Sequence, residues 1–457
     1  MCGYRFVSLH TGPEMVRATL LHTPRNPFQD GGALEYFEDG ALLLTNGAIQ
    51  AAGDYSAVRA AHPGVPVHDL RGSIVLPGFV DTHVHFPQLR IIGGLGRGLL
   101  EWLNRYALPE EVRMRDAGYA REAASEFVSA LASHGTTTAL VFGSHFHDAT
   151  ALLFEAAASR GLRVTSGLVL SDRLLPEPLR GSPARAYEES RALIQRFHGH
   201  DGLRYSVTPR FALSASEGML EVCRTLMREF PEVGFQTHLN ENAQEIADVL
   251  RAFPGVQHYL SAYDRFGLVG PRSVFAHNVH PADCELARLA EAGAAVAHCP
   301  CSNASLGSGF FPMRRHLDAG VRIALGTDVG AGTGFGMLKE ALQCYLLQRL
   351  MPDGMVLGPA HLLYLATLAG AEAMGFGAET GDFTPGKSAD FVCLQPAEGT
   401  VLEAVLARAE GPERLLSVLL ALAGAESVRE VRVRGRVVHR QDMAGQPTSR
   451  LTETPFA

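Results

Sequence analysis

The stretch GFVDTHVHFPQ (78–88) carries an apolar run into two histidines, His83 and His85. Side chains alternate along a strand, so both imidazoles face one side. Two imidazoles buried on one face are costly without a shared partner. A divalent cation is such a partner, accepting a nitrogen lone pair from each. The spacing alone specifies little, because His145-Phe146-His147 repeats it; that second pair is expected to be structural or to lie at a pocket rim. The first pair gains weight from its company. Other short apolar segments end in Arg210, His238, His277, His298 and Asp328.

Those segments imply an architecture. GFVDTH, TTALVFG, LRVTSGLVL, LRYSVTPR, VGFQTHL, SVFAHNV, AAVAHCP and VRIALGTD are apolar without internal polar alternation. Between them lie stretches such as DAGYAREAASEFVSALASHG and SEGMLEVCRTLMREF, where apolar residues recur at three and four. Eight such strands separated by helices predict an α/β fold, a (β/α)₈ TIM-like barrel, over residues 76–375. Polar residues at the carboxyl ends of barrel strands are where chemistry is placed. A doubly wound sheet explains a convergent ring of histidines less well.

The flanks read differently. ALLLTNGAIQAAGD sets Asn46-Gly47 between apolar runs, a hairpin signal, since both turn residues need positive φ. GKSADFVCLQP and SVREVRVRGRVVHRQ, turned at Gly435, are further short strands. Residues 1–75 and 376–457 are therefore expected to build one small β-sandwich domain from both termini.

Composition removes several function classes. With a net charge of −8, nothing suggests a nucleic-acid surface or a basic membrane patch. No apolar run reaches the length of a membrane span, and the start, MCGYRFVSLHTGPEM, has no signal-like apolar core. Seven scattered cysteines fit a reducing cytoplasm better than a disulfide framework.

With these residues assembled, the chain resembles the amidohydrolase superfamily, through PGFVDTHVH, THLNE, FAHN and LGTD in that order. Within it the guanine deaminase family is the nearest likeness, narrowed by HFPQ (85–88), LLEWLNRYALPEE (99–111) and TPRF (208–211). The resemblance implies a metal site of His83, His85, His238 and Asp328. It implies one zinc per subunit, with iron as the alternative, and a water whose pKa falls toward ~7. It makes Asp328 the acceptor of that water's proton and Glu241 the proton shuttle. His277 orients the attacking oxygen and stabilises charge on the intermediate. Taken singly, Asp328 reads as a helix N-cap, Glu241 as a solvated first-turn acid and His277 as a core residue.

For a purine carrying a carbonyl beside a ring N–H, Arg210 can only donate whereas the Gln88 amide can donate and accept. Phe211 and Trp102, the only tryptophan, are candidates to stack on or wall in a flat heterocycle. The activity implied is hydrolytic deamination of guanine to xanthine and ammonia by a cytoplasmic homodimer. The alternative is a related deaminase acting on cytosine, an oxidised purine, a pterin or a triazine.

Other readings fail on residues. A binuclear centre bridged by a carboxylated lysine needs a lysine on a middle strand, and the chain has none before Lys339. The HxE/PCxxC zinc deaminases are excluded because no histidine is followed two later by glutamate, and Ala304 stands where PCxxC needs cysteine. The glycine-rich 330–336 matches neither phosphate-loop spacing and is expected to be a tight active-site loop. Cys299-Pro300-Cys301 is too little for a second metal, and His298 is expected to support the pocket without binding the metal.

Overall fold

All seven residues of the strand Phe79–His85 are buried, as are all seven of Thr136–Phe142. Only a sheet covered on both faces accommodates such runs. In the computed structural model, which describes residues 12–441, these strands open a parallel sheet in sequence order. It continues through Arg163–Gly167, Arg204–Pro209, Gly234–Leu239, Ser273–His277, Ala295–His298 and Arg322–Leu325, with Val169–Leu170 pairing beside Thr208 and Pro209. The last strand returns to the first: Thr82 Oγ1 donates to Leu325 O, Asp328 N to His83 O at 2.8 Å, and His85 N to Val329 O at 2.9 Å. The eight expected strands form a nearly closed barrel.

Helices separate the strands and cover the barrel. Glu217–Glu229 buries Met219, Leu220, Cys223 and Leu226 on one stripe, and its first turn is capped by Ser216. Ala117–Ser133 is capped by Asp116 in the same way. The connection after the first strand is longer. It passes through a helical run, Leu99–Trp102, Leu103–Ala107 and Leu108–Arg113, over the carboxyl ends of the strands.

The two ends of the chain share a separate seven-stranded sheet. Its hairpin turns at Asn46 (φ 52°) and Gly47 (φ 79°), as expected of the Asn-Gly pair. A bridge from Ala48 to Ser388 curls the sheet over a core that includes Val16, Leu42, Ile49, Val75 and Phe391. The expectation for the first eleven residues lies outside the described residues. No described helix is long and apolar enough to cross a membrane.

Candidate active site

His83 and His85 leave the first strand on one face, and their Nε2 atoms stand 3.2 Å apart. His238, at the end of Gly234–Leu239, brings its Nε2 to 3.2 Å from that of His85. Asp328 Oδ1 lies 3.2 Å from both His83 Nε2 and His85 Nε2. His83, His85 and Asp328 are nearly sealed from solvent, and His238 is part-buried. Donors at about 2.1 Å from one tetrahedral ion lie roughly 3.4 Å from each other, so the spacings among His83, His85 and Asp328 fit a single cation, with His238 at the same spacing from His85.

The surroundings aim these rings. His238 Nδ1 donates to the backbone carbonyl of Arg210 at 2.5 Å, which turns its Nε2 lone pair toward the cluster. Phe142, the last residue of the second strand, packs on His83, His85 and His238 with ring centroids 4.6–5.1 Å away. Gly326 lets the last strand close on the first, since a β-carbon there would meet His83 Cβ at 2.7 Å.

Two chemistry-bearing residues hold left-handed backbone, His277 (φ 70°) and Asp328 (φ 48°). Non-glycine residues there cost about 1–3 kcal/mol, a strain that collects at functional sites. His277 Nε2 lies 3.6 Å from Glu241 Oε2 and 3.8 Å from Asp328 Oδ2, and among the described residues it has no direct partner although buried. Such separations suit one small molecule bridging the three groups. His277 Nδ1 is held by Asn303 Oδ1 at 2.9 Å. With His83 and His238, His277 also forms a group able to share an ion.

Residues 74–438 match the profile of the Amidohydrolase family. The chain belongs to the amidohydrolase family. Among amidohydrolases it groups with the guanine deaminases. It is 58% identical over 431 residues to a probable guanine deaminase of Deinococcus radiodurans, covering 93% of this chain and 98% of that one. The structure of E. coli guanine deaminase superposes with a TM-score of 0.91 at 37% identity, covering 94% of this chain and 100% of the other. That of the C. acetobutylicum guanine deaminase with bound guanine does so at 0.86 and 25%, with the same coverage.

Charge in this amidohydrolase site is set mainly by burial. Burial, then the neighbouring Asp328, raises the Glu241 carboxyl well above its ordinary range, so it holds a proton. Burial also lowers His238 well below the usual imidazole value and His85 to about 4. For Asp328 burial opposes ionisation, but its bonds to His83 and His85 outweigh it and keep the group anionic.

Beside the ligand group, the Gln88 amide donates from Nε2 to Glu111 Oε1 at 2.8 Å, and its Oε1 accepts from Gly330 N at 3.2 Å. Arg210 Nη1 donates to both Glu111 oxygens at 2.7 Å. His145 Nδ1 approaches Glu111 Oε2 at 3.4 Å, so the first member of the repeated pair reaches the rim, while His147 bonds Asp148 at the surface. Phe211 follows Arg210 and packs in the main core cluster. Trp102 stands with Leu99, Ala107, Leu306 and Ala331, backing the glycine-rich loop through Ala331.

That loop is tight, as expected: Gly332 N returns to Asp328 O at 2.6 Å. Cys299 and Cys301 are buried thiols, and among the described residues no cysteine enters a possible metal group. His298 stacks on Phe311 at 4.2 Å, and burial pushes its pKa down to about 3.

Four contributors escape the sequence reading: Glu111, Asn303, Asp81 and Ser308, whose hydroxyl meets Glu241 Oε1 at 3.4 Å. Asp81 lies in PGFVDTHVH and Glu111 in LLEWLNRYALPEE, both stretches that mark the family likeness, and there Glu111 is one of two adjacent glutamates.

Proposed function

We infer that the protein hydrolyses the exocyclic amine from guanine, releasing xanthine and ammonia. The observation that carries this reading is the place of Arg210. Its carbonyl oxygen orients His238, while its guanidinium sits with the Gln88 amide beside the ligand group. Recognition of a carbonyl and an adjacent N–H is thereby coupled to the hydrolytic centre. The 58% identity to a probable guanine deaminase across nearly the whole chain supports the same substrate.

In this reading His83, His85, His238 and Asp328 would hold one zinc ion per subunit, iron being the alternative for a histidine–carboxylate set. When bound, the ion would supply a nucleophilic water at neutral pH. Asp328 accepts a proton from that water, its Oδ2 facing His277 Nε2 across 3.8 Å. Protonated Glu241 donates to the ring nitrogen N3 as the oxygen reaches C2. Recharged from Asp328, it then protonates the departing amine. The C2 hydroxyl then gives its remaining proton through Asp328 to Glu241, so the two protons of the attacking water replace the one given to N3 and the one carried off on ammonia. His277 accepts at Nε2 from the attacking oxygen, its ring held by Asn303. Arg210 donates to the C6 carbonyl, Gln88 accepts from N1–H, and Phe211 and Trp102 bound the apolar side of the pocket.

A cytoplasmic homodimer completes the proposal. The buried free thiols Cys223, Cys299, Cys301, Cys344 and Cys393 suit a reducing compartment. Leu346 and Leu350, exposed one turn apart on Met337–Leu350, with Val356 nearby in sequence, offer an apolar face for a second copy. Sedimentation velocity reads that state.

The activity test is direct. Zinc-loaded protein is incubated with guanine while xanthine and ammonia are followed, with cytosine and adenine as controls. Equimolar xanthine and ammonia from guanine alone are expected; release from cytosine instead would transfer the chemistry to another heterocycle.

A further inference from the structure

Glu111 is a buried carboxylate with no place in the proton transfers above, yet three side chains from distant parts of the chain converge on it. Gln88 comes from the turn after the first strand, His145 from the end of the second, and Arg210 from the end of the fourth. The side chain of Glu111 is 3% exposed and that of Arg210 4%. Neither has water to fall back on, so each is held by the other's charge.

The geometry decides more than charge. A carboxylate only accepts, so the Gln88 amide must turn its nitrogen toward Glu111. Its oxygen is then sent the other way, where Gly330 N uses one lone pair. One lone pair and one N–H of Gln88 remain for a ligand. Arg210 turns Nη1 onto both Glu111 oxygens, at 2.7 Å each, and among the described residues no side-chain bond to a protein acceptor occupies its Nε or Nη2. What is left over is an acceptor on Gln88 beside donors on Gln88 and Arg210. That order complements an N–H next to a carbonyl, the N1–C6 edge of a 6-oxopurine.

We propose that Glu111 is a positioning residue that sets the donor and acceptor order of Gln88 and Arg210, and so selects 6-oxopurines. This deepens the proposed function and rests on it. With glutamine at 111, one carboxylate oxygen becomes an NH₂ group that opposes either Arg210 Nη1 or the Gln88 amide. The two-fold amide torsion of Gln88 then reverses, and an N–H meets N1–H of the ligand.

The test reads binding, apart from turnover. Hypoxanthine carries the C6 carbonyl and N1–H; purine carries neither, and both lack the leaving amine. Zinc-loaded wild type and Glu111→Gln are titrated with each by calorimetry, after metal content is verified. Wild type is expected to favour hypoxanthine. Glu111→Gln is expected to weaken hypoxanthine about a hundredfold and to change purine less than about threefold, because a site built around a hydrogen bond discriminates by its unpaired groups. A merely structural loss weakens both alike and overturns the assignment, as does an unchanged ratio. Should Glu111→Gln fail to fold, the exchanged pair Gln88→Glu/Glu111→Gln decides. It restores a donor facing an acceptor, and recovery of the hypoxanthine preference supports the role, while a folded exchanged pair without it refutes the role. Wild type that makes no xanthine from guanine defeats the functional reading itself; wild type that makes xanthine but shows no hypoxanthine preference defeats only the role of Glu111.

Discussion

Asp81 and Thr327 are joined twice across the barrel seam: Thr327 N donates to Asp81 Oδ1 at 3.0 Å, and Thr327 Oγ1 donates to Asp81 Oδ2 at 2.5 Å. His83 N also donates to Asp81 Oδ1, at 3.2 Å. One carboxylate thus holds the strand that carries His83 and His85 against the segment that carries Asp328. Losing such an outer support lowers metal affinity by about 10–100-fold in other sites. Asp81→Asn replaces one acceptor oxygen with a donor facing the Thr327 pair. Zinc affinity measured by chelator competition is expected to fall within that range while the fold is kept. Affinity equal to wild type would detach Asp81 from the site.

Glu241 is placed for proton transfer and not for ligation. It lies near His277 and Ser308, outside the groups that could share an ion. Glu241→Gln should therefore keep metal content and lower kcat by about 10²–10⁴-fold, the usual contribution of a positioned acid or base. Because burial and Asp328 raise its pKa, the protonated form is the resting one, and wild-type turnover falls as pH rises through that raised value. A rate for Glu241→Gln within a few-fold of wild type ends this assignment.

How much of this was legible in the sequence depends on how local each signal is. Buried parallel strands are apolar runs, and a single polar residue at the end of one is conspicuous; His83, His85, His238, His277 and Asp328 all announced themselves that way. Asn46-Gly47 likewise encodes its own turn. Glu111 carries no local signal. It sits beside Glu110 in a short helix, and both are buried for different reasons: Glu110 bonds Arg113 and Tyr119, while Glu111 faces the barrel mouth. Only the tertiary meeting of residues 88, 111 and 210 separates the two. Asn303 is hidden similarly, in a short helix whose role depends on the ring of His277.

Metal removal tests the cluster as a whole. Without an ion, His85 Nε2 faces those of His83 and His238 at 3.2 Å, so chelation should destabilise the fold as well as stop turnover. An ion bound only by the native state adds about 2.7 kcal/mol at a hundred times its Kd. Urea midpoints of chelated and zinc-reconstituted protein should differ accordingly, and parallel reconstitution with iron(II) shows which ion restores kcat. A midpoint indifferent to either metal contradicts a shared ion.

The β domain stores a pH-dependent contribution far from the chemistry. Glu430, with a side chain 2% exposed, accepts from Arg432 Nε at 2.6 Å and Arg440 Nε at 2.9 Å, with His68 Nε2 at 3.7 Å. Arg432 in turn donates to Glu14 at 2.6 Å, so the group ties the first described strand to the last two. Burial opposes the charge, yet His68 and the two arginines outweigh it and bring the Glu430 carboxyl from 4.5 to about 2. A folded value below the unfolded one stabilises the protein fully above pH 4.5, and that part is lost as pH falls toward 2. The shift corresponds to roughly 3 kcal/mol. Glu430→Gln should cost about 1.5–3 kcal/mol at pH 7, since buried Arg432 loses one of its two carboxylates and keeps Glu14. It should also flatten the decline of stability with acid between pH 4.5 and 2 that wild type shows in urea titrations. Parallel declines in the two proteins would show that Glu430 is not the group being titrated.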